Sequence, residues 1–413
     1  MNKQKKILCL FDYNCKTGFG TVSENIKKQV KSNFGDKIKL DICAINYLGE
    51  PYTEKDGTDV VSAAKSASKH DDFGRYGFLK ILKDFDYDGI FILQDLAIIA
   101  PIMGIIKSLN EEKKKAGKKQ FKSIFYFPVD CPVRPSLLKD IDVFDKLVTY
   151  TEYGKRMMLD ARPDLKSLSI VNHGVDSNIF KPLTKAEIQD FRSAYFLDKD
   201  FSKFIITNIN RNQLRKDIPE TLFAFAELKK RNVVAKELVL YLHMNPKDPM
   251  GWDLRQIMVQ LNLKENEDVM FPHEEIFGSE HLTPQYLNKI YNACDLYFTT
   301  TLGEGWGLTL HEAAACRIPI VAPLVTSFIE MTNNGEYIYW YEADVQKCLH
   351  TDNVVRYKGS TLKIADKLQD ACLDIINDTD RYTDKTTKAY KSAISNNWEL
   401  IGHYFTEIFK NVY

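Results

Sequence analysis

Two carboxylates, Glu304 and Glu312, sit in the run Leu302-Gly-Glu-Gly-Trp-Gly-Leu-Thr-Leu-His-Glu-Ala313. An apolar strand enters this run and an apparent helix leaves it. Between the two, Gly305 and Gly307 bracket Trp306. Glycines just before a helix expose backbone N–H groups, and a helix N-terminus favours anions such as a diphosphate. A carboxylate one turn into that helix accepts hydrogen bonds from the vicinal hydroxyls of a ribose. Another on the preceding loop does the same for a hexose. A plainer account exists for part of this. Thr309-Leu-His-Glu312 reads as a capping box, in which Glu312 merely satisfies backbone donors. That leaves Glu304 and the paired glycines unexplained.

Other candidates follow predicted strands. In Asn208-Ile-Asn-Arg-Asn-Gln-Leu-Arg-Lys-Asp217, Arg211 and Lys216 lie across one loop. Such a pair converges on a diphosphate, Arg as a planar fork and Lys as a point charge. The alternative is a solvated loop with Asp217 capping the next helix. Thr17-Gly-Phe-Gly-Thr-Val-Ser23 places Gly18, Phe19 and Gly20 between the first strand and the first helix. A dinucleotide fingerprint needs glycine where Ser23 stands, and an acid at the end of the second strand. The first is absent and the second is not evident, so a dehydrogenase is disfavoured. A close backbone approach to a phosphate or sugar and a simple strand-to-helix turn both remain open.

Three further features read as ordinary. Asp84-Phe-Asp-Tyr-Asp88 mimics a metal-binding Asp-x-Asp, but it precedes a strand and so lies at the wrong sheet edge. The lysine-rich 111–119 stretch reads as a helix end, with Gly117 as its cap. His173 reads as a polar linker contact. No histidines stand at metal-ligand spacing, so no metal is expected.

The elements that must carry these residues alternate. Residues 7–11, 38–45, 89–93, 123–129 and 147–151 read as strands, with helices over 22–34, 78–85 and 97–114. The pattern restarts after a turn-rich passage at 171–182. Strands are expected at 204–208, 237–242, 268–271, 296–300 and 319–322, with helices at 219–231, 252–261, 285–293 and 309–316. This order predicts an α/β chain of two doubly wound, Rossmann-like domains, 1–180 and 181–386. Residues 387–413 show apolar positions at helical spacing (Ile394, Trp398, Ile401, Phe405, Ile408). They predict one terminal helix packing on one domain, the first being favoured. Parallel sheets bind ligands at the carboxyl ends of their strands, so the cleft between two such domains is the expected site.

The bulk numbers agree. At 413 residues, 44% hydrophobic and 27% charged, the chain reads as a soluble two-domain protein. A formal net charge of zero argues against nucleic-acid binding. Eight scattered cysteines without a Cys-x-x-Cys pair predict reduced thiols and a cytoplasmic setting. The basic start stops at Asp12, too short for a signal peptide, and no run is long enough to span a bilayer. Peripheral membrane contact stays open, and oligomeric state is not legible.

Taken together, Glu304-x7-Glu312 in its glycine-rich setting resembles the signature of retaining glycosyltransferases of the GT-B fold, the large family four. Arg211…Lys216, Gly174-Val-Asp-x3-Phe180-x-Pro182, Thr17-Gly-Phe-Gly-Thr-Val22 and Pro319-Ile-Val-Ala322 continue the resemblance in the right order. It implies that Glu304 and the backbone of Gly305, Trp306, Gly307 and Leu308 hold a donor hexose, and that Glu312 holds the ribose. The N–H groups of Leu308 and Thr309, with Arg211 and Lys216, would hold the diphosphate. Gly18, Phe19 and Gly20 would approach the donor phosphates or the acceptor, and the base would rest near 269–273. Such enzymes often carry a histidine after a central strand of the first domain. Here Phe125-Tyr-Phe-Pro-Val-Asp-Cys-Pro132 offers only Asp130, which accepts a hydroxyl but cannot donate as imidazole does. Arg317 stands where a helix-ending glycine is usual.

The expectation is a retaining, metal-independent hexosyltransferase with no required cofactor. Its catalytic residues would be Arg211, Lys216, Glu304 and Asp130. Family habit favours GDP-mannose as donor, a UDP-hexose second, and a glycan or glycoconjugate as acceptor. A sugar-nucleotide epimerase of the same architecture and a donor-binding inactive transferase are the alternatives. The wording Phe-Pro-Val-Asp-Cys-Pro points outside the common bacterial enzymes, toward a large DNA virus, in which case the compartment is the host cytoplasm.

Overall fold

Runs such as Ile7-Leu-Cys-Leu-Phe-Asp12 are buried without alternation, the pattern of a strand covered on both faces. The computed structural model describes residues 4–65, 71–166, 168–272 and 283–413. The chain divides into two compact units, Met1–Gly174 with Trp398–Tyr413, and Val175–Asn397.

In the first unit the strands are β1 (Lys5–Asp12), β2 (Ile38–Ile45), β3 (Tyr52–Thr53), β4 (Asp59–Ser62), β5 (Gly89–Leu93), β6 (Lys122–Phe127), β7 (Lys146–Thr149) and β8 (Leu168–Ile170). They order as β3-β4-β2-β1-β5-β6-β7-β8. All neighbours run parallel except β3 and β4. The helices are α1 (Gly18–Phe34), α2 (Arg75–Asp84), α3 (Leu96–Ile99), α4 (Met103–Lys115) and α5 (Glu152–Ala161).

In the second unit β9 (Lys203–Asn208), β10 (Glu237–Leu242), β11 (Val269–Met270), β12 (Leu296–Phe298), β13 (Ile320–Pro323) and β14 (Tyr339–Tyr341) form a parallel sheet. Its order is β11-β10-β9-β12-β13-β14. A separate antiparallel hairpin pairs β15 (Val345–Cys348) with β16 (Val355–Lys358). Around them lie α6 (Lys185–Tyr195), α7 (Ile218–Arg231), α8 (Leu254–Gln260), α9 (Pro284–Ala293), α10 (Leu308–Ala315), α11 (Ser327–Met331), α12 (Thr361–Ile376) and α13 (Asp380–Ser395).

The terminal stretch is two helices, not the single one expected. After α13, Asn396 turns the chain, and its carbonyl accepts from the Val175 N–H at 3.1 Å. The last helix, α14 (Trp398–Val412), then belongs to the first unit. The apolar spacing runs through the break because Ile394 serves one unit and Trp398 the other. Helix α14 packs on α1, where a Cβ on Gly402 would fall 2.4 Å from the Gln29 side chain. Phe409 meets Phe34 and Phe91 at ring distances of 6.0 and 5.4 Å. His173 is buried there, 4.1 Å from the Tyr150 ring and stacked 5.9 Å from Trp398. Expected as a polar linker contact, it is packed among the aromatic rings that hold α14.

Candidate active site

The cationic loop after β9 is built by a one-turn helix over Leu214–Lys216. It is sewn to the segment that follows β12. The Leu302 N–H donates to the Arg215 carbonyl at 2.9 Å. The Thr300 hydroxyl lies 2.9 Å from the Asp217 carbonyl and 3.1 Å from that of Lys216. The tight turn sends two adjacent side chains to one carboxylate. Arg215 Nη1 donates to Glu304 Oε2 at 2.9 Å, and Lys216 Nζ donates to Glu304 Oε1. Glu304 is buried at 7% exposure. Burial alone would raise its pKa, but Arg215 and Lys216 outweigh that and hold it at about 2. Glu304 is therefore a fixed anion. Its backbone is fixed too: the Thr326 hydroxyl accepts from the Glu304 N–H at 2.8 Å and lies 3.0 Å from the Glu304 carbonyl. Thr326 is a β-branched residue at φ 45° and ψ −120°, a strained conformation that its surroundings enforce.

Gly307 begins α10 with φ 108°, and a Cβ there would fall 2.4 Å from Phe328 Cε1. Both facts demand glycine. Among the described residues, no side chain caps this helix. The capping box expected at Thr309 is not formed, because Gly307 is the cap residue and Thr309 already lies inside the helix. The Thr309 hydroxyl instead meets the Tyr297 hydroxyl at 2.7 Å. Glu312 accepts from the Tyr291 hydroxyl at 2.9 Å. Burial pushes its pKa up to about 7, and the Tyr291 bond offsets this only in part.

No protein-family model matches the chain. A probable sucrose-phosphate synthase of Thermosipho melanesiensis is 24% identical over 191 residues, 45% of this chain and 39% of that protein. The match thus spans well under half of that relative's length. Solved structures align over nearly the whole chain. A sucrose-phosphate synthase of Thermosynechococcus elongatus gives a TM-score of 0.71 at 13% identity, covering 99% of each chain. A glycosyltransferase of Rickettsia africae gives 0.69 at 16%, covering 99% of this chain and 98% of that one. HepE of Anabaena gives 0.67 at 14%, covering 99% and 100%. The chain has the GT-B fold. That likeness is of the backbone, whereas activity depends on the side chains.

The GT-B chain distributes the remaining candidates unevenly. Arg211 does not join Lys216 on a common partner. Its Nε donates to Asp248 at 2.7 Å, while the side chain stays 59% exposed. Asp217 occupies the cap position of α7 without capping it, and pairs with Lys347 at 2.6 Å instead. Trp306 is buried, and its indole N–H donates to His311 Nδ1 at 3.2 Å. The opposite ring nitrogen, Nε2, lies 3.2 Å from the Ala393 carbonyl. Trp306 thereby pins the glycine loop onto α10 and α13. Gly18, Phe19 and Gly20 are the first turn of α1, not a loop. Thr17 caps that turn by accepting from the Gly20 N–H at 2.9 Å. A Cβ on Gly20 would fall 2.4 Å from the Cys15 carbonyl oxygen, so local packing accounts for this glycine. Asp130 follows β6 and is half-buried. Arg317 ends α10 at φ 59°, the left-handed position glycine usually takes, and its guanidinium donates to Thr387 at 2.9 Å. His273, the end of the expected base site, lies outside the described residues; Val269 and Met270 form β11.

Sequence reasoning passed over Arg215, Thr326 and Asp248. Arg215 stood beside Lys216, but adjacent residues share a target only in a tight turn. Among the described residues, no group of His, Cys, Asp and Glu is placed to hold a metal ion. No described helix is long and apolar enough to cross a membrane.

Proposed function

We propose that the protein is a nucleotide-sugar-dependent glycosyltransferase that retains anomeric configuration. One observation carries the reading: a buried anion, Glu304, clasped by Lys216 and Arg215 directly before the uncapped start of α10, with Glu312 one turn further on. Breaking a glycosidic bond to a diphosphate puts negative charge on the leaving phosphate. Lys216, Arg215 and the N–H groups of Leu308 and Thr309 supply fixed positive charge for it. Glu304 then accepts hexose hydroxyls, with the backbone of Gly305 and Gly307 beside it. Glu312 takes the ribose. Arg211, mostly exposed, reaches the donor phosphates by leaving Asp248. Attack by the acceptor hydroxyl on the face the diphosphate leaves, with a phosphate oxygen taking its proton, needs no carboxylate nucleophile. Asp130 and the start of α1 stand at the carboxyl edge of the first sheet. We propose that they receive the acceptor, a glycan or glycoconjugate.

For the donor, HepE of Anabaena has been crystallised with UDP and glucose and with UDP-glucose. This supports a uridine diphosphate hexose over the guanosine diphosphate mannose that family habit suggested. Thermal shift against a panel of nucleoside diphosphates and nucleotide sugars tests both. A ligand at 100 times its Kd stabilises by about 2.7 kcal/mol, so one base should raise Tm by several degrees. A panel without any shift would sink the donor reading. An epimerase would change the sugar with no acceptor present, and an inactive binder would shift Tm without transfer.

Because protein cations supply the positive charge, transfer is expected to persist in EDTA. Abolition by EDTA and recovery with a divalent ion would show that a metal carries the leaving group instead.

A further inference from the structure

The hairpin of β15 and β16 belongs to neither large sheet. Its register pairs Lys347 with Arg356 and Val345 with Lys358, so these share one face. Two lysines of that face reach the start of α7. Lys347 Nζ lies 2.6 Å from Asp217 Oδ1, and Lys358 donates to Glu220. Both carboxylates are buried, at 1% exposure each. The opposite face, with Val355 and Tyr357, is exposed at 46% for each.

Asp217 directly follows Lys216. It holds a left-handed backbone, φ 49° and ψ 47°, which closes the one-turn helix carrying Arg215 and Lys216. Its second oxygen, Oδ2, has no hydrogen-bond partner among the described residues, so Lys347 is the cation hydrogen-bonded to this carboxylate, with the Lys358 charge a lesser attraction. The Lys347 ammonium also lies 5.9 Å from the Trp252 ring. Trp252 belongs to the loop that carries Asp248, the partner of Arg211. Asn212 staples that loop to the cationic one, donating to the Trp252 carbonyl at 2.7 Å. One ammonium therefore bonds the end of the loop that carries Arg211, Arg215 and Lys216 and lies over the loop that carries Asp248.

We propose that Lys347 is a positioning residue for Lys216 and Arg215: its bond to Asp217 sets the turn that aims them at Glu304 and at the donor's terminal phosphate. The proposal rests on the reading of Lys216 and Arg215 as diphosphate ligands. Losing Lys347 leaves a buried carboxylate without its hydrogen-bonded cation and with only the Lys358 charge to offset its burial, so the turn shifts to relieve it. An aim error falls on the outer phosphate, not on the base or ribose.

The test measures binding of UDP and UMP by calorimetry, or GDP and GMP if the panel selects guanine, together with donor KM and kcat. The proteins are wild type, Lys347→Ala, Lys347→Arg and Lys216→Ala. Lys347→Ala should bind the diphosphate about tenfold more weakly while the monophosphate stays within about twofold. Its kcat should fall as well, and Lys347→Arg should recover most of both. Lys216→Ala should show the same selective loss. If Lys216→Ala loses diphosphate affinity and Lys347→Ala does not, the hairpin proposal is overturned and the site reading stands. Equal loss of both nucleotides in Lys347→Ala would mark a merely structural role and also overturn it. If neither variant changes diphosphate affinity, the site reading falls and takes the proposal with it. Should Lys347→Ala not fold, Lys347→Gln carries the same comparison, since it keeps a donor for Asp217 without the charge.

Discussion

Lys216→Ala should lower turnover by roughly 10²–10³-fold while leaving the fold intact, the scale observed when one fixed donor to a developing oxyanion is removed. Lys216 is one of two cations on Glu304, so the variant acts twice. It removes positive charge from the diphosphate that the proposed reaction releases, and it leaves Arg215 alone to hold the carboxylate. Glu304→Gln should cost a similar factor by another route. The amide is isosteric, but it no longer balances two cations and accepts less strongly from a sugar hydroxyl. Both are measured as nucleoside diphosphate release from the donor that the thermal-shift panel selects, with circular dichroism as the folding control. Near-normal turnover in both variants would remove the site assignment. The double variant is informative too. Residues in one network are not additive, so it should lose far less than the product of the two single losses.

The second large effect is on stability. Arg192→Ala should destabilise the second unit by about 3–5 kcal/mol, the usual consequence of removing one partner from a buried ion cluster. Arg192 is 2% exposed. Its Nε and Nη2 donate to Asp198 Oδ2 at 2.9 and 2.6 Å, its Nη1 lies 3.2 Å from both Asp295 oxygens, and Nη2 donates to the Lys203 carbonyl at 2.7 Å. The guanidinium also covers the Phe201 ring at 4.6 Å. The two carboxylates do structural work of their own. Asp198 accepts from the Ser202 N–H at 2.8 Å, and Asp295 accepts from the Ile205 N–H at 2.7 Å, so together they register the start of β9. Burial raises the Asp295 pKa, and Arg192 only partly reverses that. Without Arg192 one carboxylate must protonate or leave the interior. Adding Asp295→Asn to Arg192→Ala should recover part of the loss, because one unpaired charge is removed. Urea unfolding measures both. A loss below about 1 kcal/mol for Arg192→Ala would place the cluster with exposed ion pairs, which are worth that little.

Much of this protein was legible along the chain. Short unbroken apolar runs such as Gly89–Leu93, too short for a helix of ordinary length, read as strands covered on both faces, and their alternation with helices pointed to a doubly wound chain in two parts. The glycines around Trp306 and the two carboxylates marked a candidate site because backbone freedom and charge are local properties. Partnership is not local. Arg215 and Lys216 find Glu304 across 89 and 88 positions, and Lys347 finds Asp217 across 130. No spacing rule links such residues; the crossover order of the sheet brings them together. The same holds for the errors. Thr309-x-x-Glu312 has the composition of a capping box, but Gly307, pressed against Phe328, starts the helix two residues early. The apolar spacing of 387–413 is continuous, yet the segment breaks at Asn396 because its two halves bury themselves in different units. Residue type and period determined which elements form and which side chains can do chemistry. The tertiary structure decided which cation meets which anion, because a charge pairs with whatever the fold places within reach.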